Sequence, residues 1–377
     1  MEIYIGSTEH SVLNFSTNET FSNPCVEKKD GHEDFYNLAQ LITGLIIYPI
    51  VCFFGVIGNT LSLIVLSHRD MATSTNVYLS ALAISDTIKL INDIFYFLCV
   101  LLLRTGNDDD KKIITSFYPF AHYIFNMSVC VTAWLTISVA SERYIAVCIP
   151  TKAKEMCTIA RARFVSTFVF VFMILVSIPY ALRYKSVETH VPEFNTTCYT
   201  VQPGILGMDE FMTPYTWVQN MLRSVIPFFI LIFLSSSIIH VLRKQRVKGK
   251  KFSSRNRITL MLVAVVIFFV VCIMPDALLS LFFGFGYIDE NNFNRGIREI
   301  TDSLLAINSA FNFVLYCTMS KIFRQTFRKI FCKNFTKLEF QGASERLMAH
   351  GENGVSVAMR ESHSGNNNRD KNRETFV

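Results

Sequence analysis

The sequence predicts an all-α membrane protein, a bundle of seven transmembrane helices followed by a short amphipathic eighth helix. Two observations carry this. First, 51% of the 377 residues are hydrophobic, 34 of them Phe, which is more apolar surface than one soluble domain can hide. Second, the apolar residues come in long unbroken runs, without the alternation of strands or the one-sided stripe of a surface helix. The formal net charge of +6 does not point to nucleic acid, because the basic residues lie between the apolar runs and follow membrane topology.

In chain order the spans are expected at roughly 38–66, 76–103, 113–147, 161–183, 214–243, 254–285 and 296–318, each near or above the ~20 residues that cross a bilayer. The longer ones imply tilt or extension beyond the membrane. The linker around 243–257 carries Arg243, Lys244, Arg246, Lys248, Lys250, Lys251, Arg255 and Arg257 and no acid. It is therefore expected inside the cell. An odd number of spans then puts the N-terminus outside. The sequons at Asn14, Asn18 and Asn195 fall on that side and are expected glycosylation sites. Those at Asn126 and Asn334 fall in a span and in the cytoplasm, where they cannot be used. No short charged-then-apolar leader precedes the first span, so that span is expected to serve as its own insertion signal.

The eighth helix is expected at 320–332, where Phe323, Phe327 and Ile330 share one face and basic residues the other, the pattern of an interfacial helix. Cys332 at its end is an expected palmitoylation site. The organisation that follows is a glycosylated outer segment 1–37, a bundle 38–319, the amphipathic helix 320–332 and a polar, disordered cytoplasmic tail 333–377. The tail ends Glu374-Thr375-Phe376-Val377. Thr375, Phe376 and Val377 together suit a PDZ groove, which takes a terminal carboxylate and an apolar last side chain.

Several motifs then fall at matching helices. The third span ends in Glu142-Arg143-Tyr144, with Pro150 shortly after. Gly58-Asn59 lies in the first span, Leu82-Ala83-Ile84-Ser85-Asp86 in the second, Pro227 in the fifth, Phe269 and Cys272-Ile273-Met274-Pro275 in the sixth, and Asn312-Phe313-Val314-Leu315-Tyr316 in the seventh. Over roughly 38–332 the chain resembles the rhodopsin-like, or class A, G-protein-coupled receptors. The runs Ser141–Cys148 and Asn312–Cys317 are most similar to the FMRFamide-receptor branch of neuropeptide receptors. Phe313 departs from the family's usual proline, which removes an expected cause of a kink. Ile273 stands where many members have tryptophan.

The resemblance implies a non-enzymatic receptor in the plasma membrane. It would bind an extracellular neuropeptide, an amidated FMRFamide-like peptide on this reading, and signal to heterotrimeric G proteins, with arrestin as a further partner and a weak lean to the Gq class. Glu142, Arg143, Tyr144, Asn312 and Tyr316 would form the coupling machinery, with Arg143 released from Glu142 on activation. Asp86, with Thr132, Asn308, Ser309 and Asn312, would hold an allosteric sodium ion, the sole cofactor implied. Lys89, one turn outward of Asp86, is expected to take over the ion's role in part. Similar receptors tie the second outer loop to the third span by a disulfide, but Tyr118 stands near that position. Cys99 is the first choice as partner of Cys198, and Cys25 the second.

Charges inside spans are costly and point to function. Lys89 and Asp93 are one turn apart and can pair, while Arg223 and Asp276 can meet across the fifth and sixth spans. Asp302 is then left without an internal cation. It is expected to receive the arginine of an Arg-Phe-type peptide, with Asp93 as second choice and Phe125, Phe282 and Phe283 against the apolar end. The second outer loop, about 184–213, is long enough to be functional, with a hairpin expected around Val187–Val191 and Cys198–Val201. Other classes fit less well. An opsin needs a lysine where Ala306 stands, an amine receptor an aspartate where Phe125 and Asn126 stand, and a membrane enzyme a metal set or serine–lysine pair. A lipid-mediator receptor of the same fold is the alternative.

Overall fold

The computed structural model describes residues 31–103, 108–191, 196–247, 254–282 and 291–331. The sequons at Asn14, Asn18 and Asn195, with Cys25, Phe283, Cys332 and the tail residues Thr375, Phe376 and Val377, lie outside them, as do the side chains of Cys198 and Phe282.

Seven long helices form the bundle: α1 Glu33–Leu66, α2 Ser74–Leu103, α3 Asp108–Cys148, α4 Ile159–Ala181, α5 Glu210–Gln245, α6 Ser254–Phe282 and α7 Asn292–Met319. By length and hydropathy six of them qualify as membrane spans without further argument. The other is α2, whose apolar run is broken by Asp86, Lys89 and Asp93. All three are buried inside the bundle, so its lipid face stays apolar, with Ile84, Ile91, Phe95 and Leu98 exposed.

The first helix begins at Glu33, a turn and more before the expected residue 38, and contains a π-helical stretch at Leu41–Ile47. A second π stretch, Met221–Val225, lies in α5. Such bulges shift helical phase by a fraction of a turn. Here the shift leaves the consecutive residues Arg223 and Ser224 both buried. α7 runs as one helix through Phe313, as the missing proline led us to expect.

α3 is the axial element, 41 residues long and in contact with α2, α4, α5 and α6. Its residues Phe125, Val129, Ala133 and Ile137 join Leu231, Phe269, Ile273 and Leu305 in one core cluster. A second cluster joins Tyr48, Cys52, Leu90, Tyr96, Ala121 and Ala306. Phe53, Phe54, Phe164, Phe168, Phe229 and Phe233 remain largely exposed, a belt tolerable only in lipid. α1 and α7 touch closely, because a Cβ built at Gly58 would stand 2.9 Å from Phe313 Cβ. Small residues permit such approach in membranes, and overpacking it costs ~1–3 kcal/mol.

Between α4 and α5 the chain forms an antiparallel hairpin, β1 Tyr184–Val191 and β2 Thr196–Pro203, in register Thr189 with Cys198. It lies at the end of the bundle opposite Arg143 and packs against α3. The disulfide expectation is corrected at Cys99, which carries a free thiol. The reason is placement: the strand bearing Cys198 packs on α3 rather than on α2, where Cys99 sits. After α7 comes α8, Lys321–Phe331, with Phe327 and Phe331 rings 4.8 Å apart.

Candidate functional site

The buried polar groups form layers along the bundle. At one end, Glu142 Oε1 accepts from Ser74 Oγ and Thr75 Oγ1, both at 2.8 Å, and from Arg143 Nη2 at 2.7 Å. The same Nη2 also donates to the Thr75 hydroxyl. Glu142 is 5% exposed, so its charge relies on these donors rather than on water. Ser74 and Thr75 come from the start of α2, which supplies hydroxyls because Asn76 Nδ2 ties that turn to Met71 O at 2.5 Å. Tyr144 packs beside the cluster of Val147, Ile238, Leu242 and Val263 that joins α3, α5 and α6. In this arrangement the arginine is held by Glu142 and Thr75 and largely shielded from solvent.

Midway along the bundle Asp86 is fully buried. Thr132 Oγ1 donates to its Oδ1 at 3.1 Å and Asn312 Nδ2 to its Oδ2 at 2.7 Å, and the Ser309 hydroxyl joins them. Ser309 O in turn accepts from Asn59 Nδ2 at 2.9 Å, which ties α1 to the same layer. Asn308 is buried nearby without being one of Asp86's hydrogen-bond partners, and Tyr316 is buried one turn beyond Asn312. Lys89 makes the pair with Asp93 that its position one turn away leads us to expect. Its ammonium lies 2.6 Å from Asp93 Oδ2 and 5.2 Å over the Phe125 ring. The i, i+4 spacing on α2 brings Asp93 within reach of the ammonium.

Toward the hairpin end lies a third layer. Arg223 Nη2 is 2.5 Å from Asp276 Oδ1, its Nη1 donates to Asn126 Oδ1 at 2.9 Å, and Ser224 Oγ donates to Asp276 Oδ2 at 3.0 Å. The π stretch in α5 is what turns two successive side chains onto one carboxylate. Asp302 is 5% exposed and engaged with a partner, which corrects the expectation of an unpaired carboxylate.

Sequence reasoning missed Glu299. It is 6% exposed, and its Oε1 accepts from Tyr96 OH at 2.5 Å and its Oε2 from Thr43 Oγ1 at 3.3 Å. Among the described residues both partners are hydroxyls, and no lysine or arginine pairs with it. The signal was present: Glu299 precedes Asp302 by three residues and Ala306 by seven, which puts it on the inward face of α7. An acid on that face is a site candidate by default.

A sequence profile described as 7 transmembrane receptor (rhodopsin family) matches residues 58–316, from Gly58 at the α1–α7 contact to Tyr316 beyond the Asp86 layer. The chain belongs to the rhodopsin family of seven-transmembrane receptors. The receptor is 25% identical to the sex peptide receptor-related protein 2 of Caenorhabditis elegans, over 92% of its own length and 88% of that protein's. It is 26% identical to the FMRFamide receptor of Drosophila melanogaster over 80% of its own length, spanning 57% of that longer protein. It is also 29% identical to rat somatostatin receptor type 5, over 78% and 79% of the two chains. The family is one of signalling receptors.

Proposed function

We propose that the receptor sits in the plasma membrane with the hairpin end outside and the Arg143 end in the cytoplasm, binds an amidated Arg-Phe-type peptide, and couples it to heterotrimeric G proteins. The basic linker at 243–257 supports the orientation. Similarity to a protein named FMRFamide receptor supports the ligand class. The observation that carries the ligand site is Glu299, a buried carboxylate that among the described residues is held by two hydroxyls and by no lysine or arginine. Such a group gains most from an arriving guanidinium, whose fork matches both oxygens. Glu299 therefore takes the role first expected of Asp302. Asp93 and Lys89, paired with each other, and Arg223 and Asp276, paired across helices, frame the same layer, and Phe125 floors it beneath Lys89.

The donor set around Asp86 fits a monovalent cation. One carboxylate and the hydroxyl oxygens of Thr132 and Ser309 would hold it, and the ion would supply a positive charge that keeps the layer in its closed arrangement. Arg143 acts at the far end. Leaving Glu142 and Thr75 frees its guanidinium for the G protein, and arrestin would read the same opened face.

The test is a panel of peptides ending in amidated Arg-Phe, with lipid mediators beside them, applied to cells expressing the receptor while G-protein activation is read directly. The expected result is activation by amidated peptides only. Arg143→Ala should keep surface expression and peptide binding and lose most of the signal. Activation by lipids alone, or full signalling from Arg143→Ala, would overturn the reading.

A further inference from the structure

A cavity of about 610 Å³ opens at the Arg143 end on the outside of the bundle, between the end of α1, the start of α2 and the first turns of α4. None of the charged residues of the three polar layers described above lines it. Its walls include apolar Met71, Ile84 and Phe170 and, near its rim, Arg69 and Arg163. Both arginines are exposed, and among the described residues neither has an acidic partner. The neighbouring acid, Asp70, is turned to His68, whose Nδ1 lies 3.5 Å from Asp70 Oδ2. Ser166 also lines the cavity, is 6% exposed, and its Oγ is buried without a hydrogen-bond partner. Leaving a hydroxyl so is unfavourable unless something polar enters.

The α4 face flanking the cavity carries the exposed Phe164, Phe168 and Val171, so the opening borders the lipid belt. An occupant must be anionic at one end and apolar at the other. We propose that this cavity is a binding site for an anionic glycerophospholipid, its phosphate between Arg69 and Arg163, a headgroup or ester oxygen accepting from the Ser166 hydroxyl, and an acyl chain along Ile84 and Phe170. This assignment rests on the Arg143 end facing the cytoplasm, where anionic lipids concentrate. Bound there, the lipid joins α1, α2 and α4 beside the turn that presents Ser74 and Thr75 to Glu142.

The experiment is native mass spectrometry of the full-length receptor in detergent, titrated with dioleoyl phosphatidylserine or dioleoyl phosphatidylcholine. The serine lipid should be retained preferentially, and Arg69→Gln and Arg163→Gln should each weaken retention about fivefold. Ser166→Leu, which removes the hydroxyl and adds bulk to the cavity wall, should weaken it as well, while Lys152→Gln with Lys154→Gln on the nearby short helix Pro150–Met156 should not. Equal retention of the two lipids, unchanged retention in both arginine variants, or an equal loss from the lysine pair would overturn the site, as would cholesterol displacing the lipid regardless of the arginines. Retention in detergent does not depend on sidedness, so those results leave the orientation untouched. A wrong orientation would show instead as labelling of Arg69→Cys on intact cells by a membrane-impermeant maleimide.

Discussion

The two ends of the bundle hold their charges in different ways. At the Arg143 end, acid and base are adjacent in sequence, and two hydroxyls from the next helix complete the set. At the hairpin end, Arg223 and Asp276 come from different helices and meet only because a π stretch turns α5. A local ion pair near the membrane edge can open when one partner finds something better outside. A cross-helix pair at 4% and 2% side-chain exposure cannot, since separating it leaves both charges in a dry interior. The first arrangement suits a switch and the second a frame that fixes where a ligand is met.

The largest effect should therefore follow from breaking the frame. Arg223→Leu strands the Asp276 carboxylate and is expected to destabilise the receptor by ~3–5 kcal/mol, read as thermal unfolding in detergent. The double variant Arg223→Leu with Asp276→Leu should recover most of that loss. Recovery separates a stranded charge from a lost contact, and a double variant as unstable as the single would show that the pair is no frame.

The switch end should respond in signalling rather than stability. Glu142→Gln removes the charged acceptor of three donors, each charge-assisted bond contributing ~1.5–3 kcal/mol. It should raise ligand-free G-protein activation about tenfold or more, because ~1.4 kcal/mol shifts a two-state population by a factor of ten. Basal activity unchanged in a well-expressed Glu142→Gln receptor would remove Glu142 from the resting lock.

The smallest effect sharpens the same point. Thr75→Val deletes one neutral hydroxyl that bridges Glu142 and Arg143, a contribution of ~0.5–1.5 kcal/mol. Basal activation should rise by several-fold at most, below that of Glu142→Gln. A larger rise than that of Glu142→Gln would mean that the hydroxyl, not the acid, holds the arginine.

How far the molecule could be read from its sequence follows the same division. Apolar runs located the helices, because hydropathy reports lipid exposure directly, and the Lys89–Asp93 pair was legible because one helical turn fixes it. The second span was expected at 76–103 although Asp86, Lys89 and Asp93 interrupt its apolar run. The π stretches left no sequence signal that we recognised. Glu299 was passed over because its hydroxyl partners, Tyr96 and Thr43, lie on other helices and carry no charge to draw attention.

The most direct test of the account combines Glu299→Gln with one change in the ligand. The potency of an activating amidated Arg-Phe peptide is compared with that of the same peptide carrying citrulline in place of arginine, on both the wild-type and the Glu299→Gln receptor. Truncating one partner of a buried charge pair costs ~2–5 kcal/mol, so the wild type should lose roughly 30-fold or more in potency on the citrulline exchange. The Glu299→Gln receptor should lose little. An equal loss in both receptors would show that Glu299 does not meet the arginine, and the assignment of the hairpin end as the reader of a cationic peptide would fail.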